Sequence, residues 1–170
     1  MATTLEQLNS LSKEQSEAEF LKCCGSIIWA RALTKARPFE NIDDLFAKAD
    51  RIWWSLRDED WLEAFRAHPK IGAKKAATAQ SEQAQKWAAH EQAGTQEAAA
   101  ETTAALAEGN RKYEDCFGFI FIICASGKSA EEMLASLNHR LQNEPETELA
   151  IAAEEQRKIT RLRLEKLLEK

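Results

Sequence analysis

The sequence predicts an all-α protein, organised as a single compact multi-helix domain over residues 1–170. Three observations carry that expectation. Alanine, leucine, glutamate, lysine and glutamine dominate, and all are good helix formers. Glycine and proline, which punctuate turns, number only 6 and 3 in 170 residues. Apolar residues recur at spacings of three and four along most of the chain. A chain of this length buries a real core and is short for two domains.

The elements follow in order. Ser16 is placed to cap a helix carrying Phe20, Cys24, Ile27, Ile28 and Ala32 on one face. Pro38 in "ARPFEN" breaks it, and Asn41 caps the next. There Ile42, Leu45, Phe46, Ala49, Ile52 and Trp53 form an amphipathic stripe. Asp58 to Ala67 makes a third, short helix with Trp61, Leu62 and Phe65 inward. Ala73 to Leu106 is alanine-rich, with Trp87 and Leu106 as its large anchors. It reads as one long helix or as two broken near Gly94, with Gly109 ending or bending it. The apolar run 116–127, "CFGFIFIICASG", is too short for periodicity to choose its conformation. With no partner strand elsewhere, buried helix or loop is expected. Ser129 to Glu132 is a capping box opening a helix with Met133, Leu134, Leu137 and Leu141. Pro145 suits the first turn of the last helix.

Charge and cysteine usage narrow the function classes. The net charge of −5 and the absence of a basic patch disfavour nucleic acid as a partner. No run approaches 18 apolar residues, so no membrane span is expected. The four cysteines, 23, 24, 116 and 124, form no C-x-x-C pair and read as buried free thiols of a reducing compartment. The first residues lack the basic start and apolar run of a signal peptide, so a cytoplasmic location is expected. With three histidines and no cysteine cluster, no metal site is expected.

Function should appear as polar groups where packing prefers apolar ones. His68 stands in "FRAHPKIG", before a proline that disfavours helical angles at residue 68. It therefore sits at a helix end, stiffened by Pro69 and turned by Gly72. An imidazole titrates ordinarily near pH ~6.5, in the range useful for acid/base work; a plain helix stop uses the same residues. Glu91 lies four residues after Trp87, on one helical face, where the indole partly desolvates it. A surface glutamate over a tucked indole has that spacing too. Arg161 has Arg157 and Glu165 four residues to either side and faces water. Arg163 has Ile159 and Leu167 there and lies on the apolar face, where an arginine needs an anion or a carbonyl. A structural ion pair and a substrate carboxylate both meet that need. His90 and His139 read as surface residues. Arg140, Asn143 and Glu148 are placed for an interhelical network.

Taken together, these residues resemble one family. His68-Pro-Lys-Ile-Gly72, Trp87-Ala-Ala-His-Glu-Gln-Ala-Gly94, Asn110-Arg-Lys-Tyr113 leading into Phe117 to Cys124, Arg140-Leu-Gln-Asn143 with Glu148, and Ile159-Thr-Arg-Leu-Arg163 match its order and spacing. "WARAL…RPF" near 29–39 adds its early part. The family is the 2-oxo-4-hydroxy-4-carboxy-5-ureidoimidazoline (OHCU) decarboxylases of urate degradation.

The resemblance implies an all-helical, cofactor-free, usually homodimeric enzyme. It would convert a small ureidoimidazoline, OHCU, to (S)-allantoin and carbon dioxide. It places catalysis on His68 and Glu91. It places substrate binding on Pro69, Ala88, Gln92, Arg163 and the segment Phe121, Ile122, Ile123, Cys124 and Ala125, the last through backbone contacts. Two positions depart from the pattern. Ala88 stands where a serine is common, which removes a hydroxyl. Ile120 stands where proline is common, which changes loop stiffness. A non-catalytic helical interaction module and a hydrolase of a related ureide are the alternatives. Allantoin binding separates the module from the enzyme, and carbon dioxide release separates decarboxylation from hydrolysis.

Overall fold

A computed structural model describes residues 3–71, 81–95 and 99–169. The turn expected at Gly72 and the helix start expected at Ala73 lie outside the described residues. Among those described, the chain is all-helical, with no β-strand. The helices are α1 (Leu5–Ser10), α2 (Lys13–Cys23), α3 (Ile27–Lys35), α4 (Ile42–Trp54), α5 (Asp58–Arg66), α6 (Glu82–Glu91), α7 (Ala100–Phe117), α8 (Ala130–Arg140) and α9 (Pro145–Leu168). None is long and apolar enough to cross a membrane. They gather into two compact units, residues 1–64 with 157–170, and residues 65–156.

In the first unit, the helix expected after Ser16 is two helices. Ser12 caps α2 and Ser26 caps α3, each by accepting a backbone N–H three residues on. Cys24 has extended angles between them. Ser16 is instead buried inside α2, its hydroxyl 3.1 Å from that of Thr34. The break turns Ile27 and Ile28 outward, 44% and 45% exposed, although their spacing suited the core. Ile42, the first residue of α4, is likewise exposed. Asn41 caps α4 as expected. The core gathers Leu8, Phe20, Trp29, Leu33, Leu45 and Trp53. Phe20 meets Trp29 and Phe39 edge-on at 6.0 and 6.2 Å. Trp29 Nε1–H donates to the Ala49 carbonyl, which satisfies the one polar atom of a buried indole. Arg37 Nη1 donates to the carbonyls of Leu8 and Leu11, closing the end of α1.

Cys23 and Cys24 are buried here, but Cys116 is exposed and Cys124 half-buried. Cys116 is exposed near the C-terminal end of α7, although it stands seven residues after the inward Gly109. Burial pushes the Cys24 thiol up to about 11, against the lowering effect of its bond from Thr160 and the charge of Arg163; burial also pushes Cys23 up. A thiol whose folded value is raised contributes its stability in full below the unfolded value near ~9. That contribution fades as pH rises toward the folded value, because only the unfolded chain ionises freely. Urea midpoints measured from pH 8 to 11 should therefore fall on the alkaline side, and Cys24→Ala should flatten the fall.

In the second unit, α7 packs on α8 around Ile71, Leu106, Tyr113, Phe121, Ile123, Met133 and Leu137. Gly109 does not end α7, which runs eight residues beyond it to Phe117. A Cβ at Gly109 would lie 2.5 Å from Leu137 Cδ2, so glycine lets the two helices approach. Among the described residues of the Ala-rich region there are two helices, α6 and α7, one on either side of Gly94. Ser129 completes its capping box and Pro145 opens α9.

Candidate active site

His68 stands two residues past the end of α5. Its N–H closes on the Phe65 carbonyl at 3.1 Å, and Pro69 follows, half-buried. Phe65 is fully buried and lies 5.5 Å from the Phe119 ring, which pins the end of α5 to the segment after α7. The imidazole is 8% exposed. Its Nε2 lies 2.6 Å from Oε1 of Gln156, a fully buried residue of α9.

Glu91 is the last residue of α6 and is buried, as is Ala88 one turn earlier. Gln92 caps the helix. Its N–H donates to the Ala88 carbonyl, and its own carbonyl accepts from the N–H and hydroxyl of Thr95. This folds Ala93–Thr95 into a 3₁₀ turn. At Gly94 a Cβ would come 2.1 Å from the Lys128 carbonyl oxygen, so only glycine admits so close a backbone approach.

The run 116–127 is neither strand nor buried helix beyond Phe117. Gly118 ends α7 in the left-handed region (φ 79°), and 119–125 is irregular. Side chains distant in sequence hold it. Arg140 Nη1 donates to the Ile122 carbonyl at 2.6 Å. The Cys124 N–H donates to Glu155 Oε2 at 2.7 Å. Phe121, Ile122, Ile123 and Ala125 are buried. Burial pushes the Cys124 thiol up, and the nearby carboxylates of Glu155 and Glu91 add to this against Lys128. Glu91, Cys124 and Glu155 thus share one electrostatic neighbourhood, and Gln156, next to Glu155, holds His68.

Behind the segment lies the network of Arg140, Asn143 and Glu148, joined by Tyr113. Glu148 Oε1 accepts from the Tyr113 hydroxyl and Arg140 Nε, each at 2.5 Å, and Oε2 accepts from Asn143 at 3.1 Å. The Arg140 guanidinium also lies over the Phe121 ring at 4.5 Å.

Arg163 belongs to the other unit. It is 2% exposed, with Nη1 3.5 Å from the Lys22 carbonyl and Cys23 and Cys24 nearby. Arg161 is 45% exposed, stacked over Phe46 at 4.4 Å and 3.6 Å from Glu165. Glu155 and Gln156 were not among the residues expected from sequence. For Gln156 a signal existed: it stands seven residues before Arg163 on the same helix, hence on the same apolar face.

The OHCU decarboxylase family model matches residues 9–165. The chain belongs to the OHCU decarboxylase family. A bifunctional uric acid degradation protein of Arabidopsis thaliana is 40% identical over 92% of this chain. The chain spans only 48% of that relative's length. A 2-oxo-4-hydroxy-4-carboxy-5-ureidoimidazoline decarboxylase of Amia calva is 34% identical, covering 97% of this chain and 94% of its own. A crystal structure of an OHCU decarboxylase in the presence of (S)-allantoin superimposes with a TM-score of 0.75 at 40% identity, over 89% of this chain and 97% of that one. That likeness places the all-helical arrangement within the family's fold.

Proposed function

We propose that this chain decarboxylates OHCU to (S)-allantoin and carbon dioxide, with His68 as the acid/base group. The observation that carries the reading is a buried imidazole at a helix end, its Nε2 beside Gln156, in a chain of the OHCU decarboxylase family. The crystallised relative with (S)-allantoin supports the product.

The chemistry suits such a site. The bond from the ring carbon to the carboxylate breaks, and carbon dioxide leaves. The conjugated carbon–nitrogen system of the substrate takes up the electron pair. A proton then reaches the carbon that becomes the stereocentre. The substrate is its own electron sink, so the protein has to orient the carboxylate, stabilise developing charge and deliver the proton to one face. Glu91 and Gln92 bind ureido and ring N–H groups, and His68 handles the proton. Pro69, Ala88 and the 121–125 backbone bound the substrate, and Arg163 holds an anionic or carbonyl group. A homodimer is the proposed working form, which light scattering on the purified protein tests.

The direct test is circular dichroism of fresh OHCU, generated from urate by uricase and hydroxyisourate hydrolase. Added protein should produce a rapid (S)-allantoin signal with carbon dioxide release. Only the slow racemic background, from folded protein, would overturn the reading. Arg163→Ala should then raise KM for OHCU by about 10-fold or more, as expected for a lost charge-assisted contact worth about 1.5–3 kcal/mol. Arg161→Ala, on the exposed face, should change it little; equal small effects would remove Arg163 from substrate binding.

A further inference from the structure

Gln156 is a neutral amide, fully buried, on a helix face that also buries Ala152, Ala153 and Ile159. A buried amide in such company needs polar partners, and its Oε1 lies 2.6 Å from His68 Nε2. We infer that Gln156 is a positioning residue that holds His68 as the Nε2–H tautomer, so that the ring exchanges protons with substrate through Nδ1. This rests on the reading of His68 as the acid/base group.

The argument is one of donor and acceptor inventory. An amide oxygen only accepts, so the nitrogen facing it carries the hydrogen in both the neutral and the cationic ring. Nε2 stays protonated and bonded throughout a catalytic cycle. The proton that comes and goes is then the one on Nδ1. Which ring nitrogen is protonated is set by the bond the other makes. A carboxylate at this position would also orient the ring, but its charge would favour imidazolium and oppose release of the proton. The neighbouring acid, Glu155, is directed instead to the Cys124 N–H at 2.7 Å. The two adjacent residues of α9 thus divide the work. The amide orients the imidazole without biasing its charge, and the carboxylate holds the 119–125 backbone.

The test begins with the unmodified protein. Long-range ¹H–¹⁵N correlation spectra resolve pyridine-type from pyrrole-type nitrogens. Only three histidines are present, and loss of one set in His68→Gln assigns the signal. Above its titration, His68 should show a pyridine-type Nδ1 and a pyrrole-type Nε2. The reverse pattern would overturn the proposal, and needs no variant to fold. In Gln156→Leu, His68 should show mixed tautomers, and kcat should fall about 10²-fold, as for a misplaced catalytic group, with KM little changed. Gln156→Asn should not restore the single tautomer, because its shorter side chain withdraws the oxygen. A folded Gln156→Leu with unchanged tautomer and kcat would overturn the assignment. Absence of OHCU turnover by the unmodified protein would instead remove the underlying reading and leave the tautomer result standing by itself.

Discussion

Replacing His68 by alanine should lower stereospecific allantoin formation by about 10²- to 10⁴-fold, the range a positioned acid/base group supplies. Residual turnover should drift toward the racemic background, since the group that delivers the proton to one face is gone. The variant also removes a buried hydrogen bond to Gln156 Oε1, a contact worth about 0.5–1.5 kcal/mol. Some loss of stability is therefore expected alongside the loss of rate. His68→Gln separates the two effects. It keeps an N–H donor for Gln156 and cannot titrate near neutral pH. It should recover most of the stability and none of the catalysis. The measurements are initial rates by circular dichroism with urea midpoints for both variants. Near-normal (S)-allantoin rates in either folded variant would end the assignment of His68.

The features legible in the sequence are those whose cause is local. Asn41, Ser129 and Pro145 announce helix starts because a cap acts within three or four residues. The opposite burial of Arg161 and Arg163 follows from helical spacing alone. His68 at a helix end follows from Pro69. The misreadings share a different cause. The α2–α3 break was hidden because Ile27 and Ile28 continue an apolar period across it, and only the bond from Trp29 N–H to Ser26 fixes where the second helix starts. Gly109 reads as a breaker in one dimension, yet its reason is the approach of Leu137 from another helix. The path of 119–125 depends on Arg140 and Glu155, 18 and 31 residues from the atoms they hold. The spacing of Gln156 from Arg163 marks it as inward, but its partner, the His68 ring, is set by the tertiary fold. Tertiary partners, rather than propensity, decided each of these.

The largest stability effect is expected at Glu148. Its carboxylate is fully buried and takes hydrogen bonds from Tyr113, Arg140 and Asn143. Burial and the Glu148 acceptor together push the Tyr113 hydroxyl far above its usual range, so it remains a donor at every working pH. Glu148→Ala removes the anion and leaves the Arg140 guanidinium, only 5% exposed, without that counter-charge. Breaking a buried pair in this way costs about 3–5 kcal/mol. Against a typical total of about 5–15 kcal/mol, that is a third of the stability or more. The cost also reaches the site. Arg140 holds the Ile122 carbonyl, so a guanidinium drawn toward water releases the 119–125 backbone. Glu148→Ala should therefore lose OHCU turnover at temperatures where it is still mostly folded. Glu148→Gln keeps an acceptor for Tyr113 but not the charge for Arg140, and should fall between the two. Denaturant unfolding followed by far-ultraviolet circular dichroism measures the order. A Glu148→Ala protein within about 1 kcal/mol of the unmodified chain would mean that Arg140 is held chiefly by the Ile122 carbonyl and the rings of Tyr113 and Phe121. In that case Arg140→Met, rather than any change at Glu148, would be the substitution that frees the segment.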